Sequence, residues 1–343
     1  MGIVGAGIAG LAAARALAER GFEPRVFEKS RGLGGRAATR RIGDLGFDHG
    51  AQYFTVRSPG FARVLEPLLP AGEVARWEPR LTRLGDPGAG EPVPQRERYV
   101  GVPGMSTLGR ALATGVPVTR GTRVAALRSV RGGGWEPVAE DGAPLGRFGA
   151  MLVTCPPPQS AELLRPLSPG LAAACDAATM LPCWAVMAAF DAPPDVHFDA
   201  AFVAGGPLAW LARDSSKPGR TQAPDCWTLH ASASWSAVHL EAEGGVVARS
   251  LLESFFDVAG TRPRDPVRLQ AHRWRYARAE PGVAGRDSAD AGARRDLVDA
   301  GARLALAGDW TRGNRLEDAW LSGVEAAEAI AQLFLEADEV VGS

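Results

Sequence analysis

Two periods of hydrophobic and polar positions alternate along the chain, and each switch between them marks a new element. Residues 2–5 are apolar and fit a clipped strand. In the following GAGIAGLAAARALAERG, apolar Leu11, Ala14, Leu17 and Ala18 recur with a helical period until Gly21 stops the helix. EPRVFEKS reads as a second strand, so strand, glycine-rich turn, helix and strand fit one βαβ unit of about 30 residues. Residues 59–112 mix short helices with GDPGAGEPVP, which has the composition of a surface loop. From 117 to 154 the period becomes two: PVTRGTRVAALRSV, WEPVAED and FGAMLVTC are predicted strands, with turns at 132–134 and 141–142. PPPQ closes this run, because consecutive prolines cannot continue a ladder. Further strands are predicted at 183–191, 207–213 and 226–232, then a helix near 244–258 and a strand around 267–276. RLALAGDW is an apolar strand ending in Gly308-Asp309, and LSGVEAAEAIAQLFLEA is an amphipathic helix expected to begin near Gly323. No internal repeat or low-complexity segment is evident.

Composition narrows the class. With 343 residues, 46% hydrophobic and 22% charged, the chain is long enough for two domains and a sizeable core. A formal net charge of -1 supplies no field of one sign, which argues against nucleic acid or a membrane surface as partner. No basic segment precedes the apolar first residues, and Arg15, Glu19 and Arg20 break the run well short of a membrane span. Cys155, Cys175, Cys183 and Cys226 show neither CxxC nor metal-ligand spacing. They are expected as free thiols, with no bound metal, in a cytoplasmic protein. The basic residues are almost all Arg; only Lys29 and Lys217 are lysines.

Gly5, Gly7 and Gly10 form G-x-G-x-x-G between the first strand and helix. The first glycine permits the tight turn, the second lets backbone approach a pyrophosphate, and the third lets helix and strand pack closely. Glu28 ends the second strand, where a carboxylate can accept hydrogen bonds from ribose hydroxyls. After it comes KSRGLGGR, a second glycine-rich turn ending in Arg36. A nicotinamide-binding domain has no need of that turn, whereas a protein wrapping an extended FAD does, with Arg36 able to bridge the pyrophosphate. At the far end, Gly308-Asp309 and the helix near Gly323 resemble the late FAD segment of glutathione-reductase and amine-oxidase flavoproteins. There the Asp meets the ribityl hydroxyls and the helix N-terminus faces the flavin. Three pieces in order at both ends of the chain point to FAD.

EKSRGLGGRAATRR, FDHGAQYFTVR, GVPGMSTLGRAL, PLAWLARDSSKPGR, WTLHASASWS, HRWRYAR and GDWTRGNRLEDAWLSGVEAA closely resemble, in order, segments of bacterial renalases over essentially the whole chain. The resemblance implies an α/β protein of the flavin amine-oxidase and p-hydroxybenzoate-hydroxylase-like class. A two-lobed FAD-binding Rossmann-like domain would be interleaved with an α+β substrate domain. The FAD domain would take 1–76, 105–158 and 296–343, and the substrate domain 77–104 and 159–295. The family holds FAD non-covalently and oxidises the 2- and 6-dihydro isomers of NAD(P)H to NAD(P)+, with dioxygen leaving as hydrogen peroxide. Carried over by position, Gly5, Gly7, Ala9, Gly10, Glu28, Lys29, Arg36, Gln52, Tyr53, Val124 and Asp309 would contact FAD. The partners implied are a dinucleotide substrate and dioxygen; oligomeric state cannot be read. Three positions depart from the family: His49 stands where an apolar residue is usual, Asp214 where Asn is, and Asp318 where Gly is.

The chemistry suits the residues. A misreduced dihydropyridine regains aromaticity by losing hydride, so positioning over the acceptor suffices and no acid–base pair is required. None announces itself, and no catalytic side chain is assigned. A flat nicotinamide wants aromatic walls, for which Trp77, Trp210, Trp227, Trp235, Trp274, Trp310 and Trp320 are available, Trp310 and Trp320 being favoured by their place beside the FAD segment. His230 is the preferred polar contact, and Arg213 and Lys217 are candidates to steer a pyrophosphate. Two alternatives stay open. A flavin amine oxidase acting on a small amine shares the fold, but its late lysine and tethering cysteine have no counterpart after Lys217 and Cys226. A catalytically idle FAD-binding sensor finds support only in Asp318.

Overall fold

A computed structural model describes residues 1–86, 89–90, 93–280 and 297–341, the side chains of 337–341 apart. Parts of the GDPGAGEPVP loop therefore lie outside the described residues, as does the expected domain boundary at 295/296. The chain forms two compact units: 1–35, 108–179 and 279–343 make the first, and 36–107 and 180–278 the second. Segment 36–76, expected in the FAD domain, is thus part of the second unit by its packing, as is 180–278; 159–179, expected in the substrate domain, packs with the first.

The first unit is built on a six-stranded sheet, ordered Val298–Asp299, Leu304–Leu306, Met151–Val153, Gly2–Val4, Arg25–Glu28, Val118–Arg120. Neighbours are parallel except for the Val298–Asp299 edge strand. Every residue of the Gly2–Val4, Met151–Val153 and Leu304–Leu306 strands is buried, as expected of a parallel sheet covered on both faces. The first helix, Ile8–Glu19, packs along the last, Leu316–Val341. Gly323 makes that approach possible, since a Cβ there would meet the Ala9 carbonyl oxygen at 2.1 Å. The last helix therefore begins at Leu316, and Gly323 is a packing position inside it rather than its start. A second expectation also changes. Residues 117–130 are not one strand: the chain turns at Gly121 (φ +68°), so Val118–Arg120 joins the parallel sheet while Val124–Ser129 pairs antiparallel with Trp135–Ala139.

The second unit carries a six-stranded sheet, ordered Arg268–Ala279, Met180–Phe190, Asp225–Ala231, Leu208–Arg213, Ala200–Ala204, Leu81–Gly85. The last two strands lack a clear sequence signal. AAFVA is too short and alanine-rich, and LTRLG sits beside a loop-like stretch. Helix Gly244–Ala259 covers one face, where Trp184, Phe190, Leu211, Trp227 and Leu229 pack with Leu251 and Phe255. On the other face, the hairpin Thr39–Ile42/Leu45–Asp48 inserts Phe47 against Met187, Ala189 and Cys226. No described helix is long and apolar enough to cross a membrane.

Candidate functional site

In the first unit the three glycines do three different things. Gly5 adopts φ +104°, which a side chain would strain, and its N–H donates to the Phe27 carbonyl at 2.8 Å. A Cβ on Gly10 would lie 2.0 Å from the Gly5 oxygen, so helix and strand meet backbone to backbone. Gly7 has open space, with nothing within 4 Å of where a Cβ would be. It is also the N-cap of the first helix and supplies no side-chain cap, which leaves that helix N-terminus available to an anion.

Glu28 is buried and joins the loop to the strand. Its Oε2 accepts from Ala6 N–H and its Oε1 from Ser30 N–H, both at 2.7 Å. The second glycine turn closes on the first: Gly34 N–H donates to the Ala6 carbonyl at 2.8 Å, and Gly35 (φ +58°) approaches Gly7. Ala9 is buried in the first turn of the helix, and Lys29 Nζ donates to Gln159 Oε1 at 3.2 Å. Val124 is buried at the start of its ribbon. Asp309 is buried in a short 3-10 turn pinned by Gly308 N–H to Ser322 Oγ at 3.0 Å. Beside it the indole Nε1 of Trp310 is buried without a partner among the described residues. Trp320 lies half-buried on the last helix. An open glycine at an uncapped helix end, a buried carboxylate in a pinned turn and an orphaned indole donor fit a bound dinucleotide. Asp318 accepts from Arg315 N–H at 2.8 Å, and burial pushes its carboxyl pKa up.

Other expected contacts belong to the second unit. Arg36 Nη1 donates to the Ala277 carbonyl at 3.0 Å. Gln52 is turned into a buried charge network: its Nε2 donates to the Asp48 carbonyl and its Oε1 accepts from Lys217 Nζ at 3.1 Å. Lys217 also donates to Asp214 at 2.6 Å and to Asp48 at 3.3 Å, while Arg220 donates to Asp48 at 2.6 Å. Thr39 and the Met105 N–H complete Asp48, and Thr228 completes Asp214. Burial raises the Asp48 carboxyl, but Lys217 and Arg220 outweigh it and hold the group below its usual range. Burial lifts Asp214 above its usual range, Lys217 opposing and Asp48 adding.

One expectation changes here. Lys217, a candidate to steer a pyrophosphate, is 1% exposed and its ammonium is engaged by Asp48, Asp214 and Gln52, which makes it a structural cation of this network. Arg213 is likewise engaged, with Nε 2.6 Å from Asp225 and Nη1 3.9 Å from Asp199.

Beside this network lies a cluster that the sequence did not reveal as a group. The His49 ring sits 4.7 Å from His272 and 4.9 Å from Trp274, centroid to centroid. His230 Nε2 and Trp274 Nε1 both donate to the His49 carbonyl, at 3.1 and 2.9 Å, and Arg40 donates to His272 Nδ1 at 3.2 Å. His230 therefore keeps its proton on Nε2. Burial lowers all three imidazoles: His49 to about 3, with His272 and Arg40 adding to the effect, and His230 and His272 to about 4. All are neutral at pH 7. Tyr53 stands next to Trp77 and Trp210, with ring centroids 6.1 and 5.6 Å away. The available hints were that His49 interrupts an apolar position in FDHGAQY and that Lys217 is one of only two lysines.

Comparison with known proteins agrees with this geometry. A family model described as flavin containing amine oxidoreductase matches residues 93–331, and one described as NAD(P)-binding Rossmann-like domain matches residues 3–68. Among solved structures, a protein provisionally assigned as a protoporphyrinogen oxidase from Exiguobacterium sp. 255-15 superposes with a TM-score of 0.75 at 15% identity. Putrescine oxidase bound to putrescine gives 0.72 at 14%, and cyclohexylamine oxidase from Brevibacterium oxydans IH-35A gives 0.72 at 16%. Each alignment covers 96% of this chain and 98% of the other. At these identities the likeness establishes the fold.

Proposed function

The chain belongs to the flavin containing amine oxidoreductases, with FAD as its cofactor, and on that premise we propose that it oxidises misreduced pyridine dinucleotides. In this reading the 2- and 6-dihydro isomers of NAD(P)H lose hydride and become NAD(P)+. That hydride and one solvent proton reduce dioxygen to hydrogen peroxide. FAD, when bound, supplies the hydride acceptor and the reaction with dioxygen. Gly5, Gly7, Ala9, Gly10, Glu28, Lys29, Val124 and Asp309 would hold it without a covalent bond, the open Gly7 and the uncapped helix end behind it offering backbone donors to an anionic group. The four cysteines are free, with thiols pushed up to about 12 by burial, which suits both non-covalent binding and a cytoplasmic location.

The observation that carries the reading is the electrostatics of the second unit. His49, His230, His272 and Trp274 form a cluster without charge, joined by edge-to-face and tilted ring contacts and by the shared His49 carbonyl. The buried carboxylates of that unit, Asp48, Asp199, Asp214 and Asp225, are all ion-paired. The second, charged ammonium of a diamine wants an unpaired carboxylate, whereas a neutral dihydropyridine ring needs only contact and orientation. His230 and Tyr53 do that orienting work.

The test is aerobic. Yellow holoenzyme is mixed with borohydride-reduced NAD+, with putrescine, or with cyclohexylamine. Flavin bleaching and peroxide with the first mixture alone are expected. Bleaching by an amine alone would assign the enzyme to amine oxidation, and bleaching by neither would make it an idle FAD-binding protein.

A further inference from the structure

The register of the second unit's sheet aligns one side chain from each of four adjacent strands. Arg83 pairs with Phe202, Phe202 with Trp210, and Trp210 with His230. Residues paired across strands share a face, so the four form a transverse row. Leu211 and Leu229, the chain neighbours of Trp210 and His230, pack in the core of the helix-covered face, which places the row on the opposite one. With strands about 4.8 Å apart, three spacings give a strip of roughly 14 Å. That is enough for a planar ring at one end and an anionic group at the other.

The side chains touch along the strip. Arg83 Cζ lies 5.9 Å from the Phe202 ring, and Phe202 and Trp210 are 4.7 Å apart. Tyr53 flanks Trp210, and the Arg98 guanidinium lies 5.3 Å from the Tyr53 ring. Along this path Arg83 Nε, Trp210 Nε1 and Arg98 Nε are buried and make no hydrogen bond among the described residues. Trp210 itself is only 8% exposed. A buried donor without an acceptor is destabilising, and here there are three donors, two of them on cations.

We propose that this row is the subsite for the dinucleotide part of the substrate. Phe202, Trp210 and Tyr53 lie against its planar groups, and Arg83 and Arg98 hold its phosphate oxygens. The proposal rests on the dihydropyridine reading and names what that substrate must carry: acceptor oxygens on an anionic diphosphate, which a small amine lacks.

Two measurements on the holoenzyme test it. ADP-ribose binding is measured by calorimetry for wild type, Arg83→Gln and Trp210→Phe. KM is measured for 6-dihydro-NAD and for phosphate-free 1-methyl-1,6-dihydronicotinamide. Arg83→Gln is expected to weaken ADP-ribose about tenfold, and to raise KM for the dinucleotide at least about tenfold more than for the methyl compound. Trp210→Phe keeps an aromatic ring but removes the N–H and part of the stacking area, and is expected to weaken ADP-ribose about threefold. No binding to wild type, or equal binding to wild type and Arg83→Gln, overturns the subsite. If no dihydropyridine bleaches the flavin yet ADP-ribose binds in an Arg83-dependent way, the parent reading fails and the subsite stands. Bleaching without the KM split has the opposite meaning.

Discussion

The two units handle close approach in opposite ways. In the first, side chains are removed: Gly10 and Gly323 bring backbone to within a Cβ's reach of the Gly5 and Ala9 oxygens. In the second, charges are taken inside and matched, with Asp48, Asp214, Lys217 and Arg220 all buried in one network. A glycine contact fails by overlap, which is local and graded. A buried charge network fails by imbalance, which is severe when one member goes but reversible when charge is restored.

The largest expected effect follows from that imbalance. Lys217→Met leaves two buried carboxylates without their shared cation and should lower stability by about 3–5 kcal/mol in urea titrations. Adding Asp214→Asn removes one negative charge as well and should recover much of the loss. A double variant no more stable than the single one would mean that packing, not charge, holds this region. Next, Gly10→Ala forces a methyl into the Gly5 oxygen and should cost about 1–3 kcal/mol, with loss of yellow colour on purification.

The histidine cluster makes stability depend on pH. Its imidazoles titrate at about 3 to 4 in the folded protein and near 6.5 when unfolded. Between those values the unfolded chain binds more protons, so stability is full above about pH 6.5 and falls as pH drops toward 4. Each group contributes at most about 1.4 kcal/mol per pH unit. His49→Leu should flatten this acid limb at pH 5 and change the urea midpoint little at pH 8; an unchanged limb would exclude His49 as a contributor. The smallest stability effect is expected at Gly7→Ala, within about 0.5 kcal/mol, because its Cβ meets nothing. FAD affinity should nonetheless fall, so comparing it with Gly10→Ala separates cofactor contact from packing.

How much was legible follows the same division. Gly5, Gly7, Gly10 and Glu28 are readable because strand, turn, helix and carboxylate all lie within one βαβ unit. The Lys217–Asp48 pair joins residues 169 positions apart, and no local period announces such a partner. His49 was visible as an odd residue, but its neighbours His230, His272 and Trp274 come from strands whose pairing only the folded sheet decides. The misread strand at 117–130 shows the same limit, since a period of two continues across Gly121 although the two halves join different sheets. Arg83 was hidden in an unrecognised strand. Its meaning appears only once the register aligns it with Phe202 and Trp210.

The central claim is that the reduced pyridine ring, not an amine, delivers hydride to the bound flavin. Anaerobic stopped-flow reduction of the holoenzyme with separated 2-, 4- and 6-dihydro isomers of NAD tests this most directly. The expected result is rapid bleaching by the 2- or 6-dihydro isomer and slow bleaching by ordinary 4-dihydro NADH. Equal rates for all three isomers, or bleaching by none of them, would contradict it.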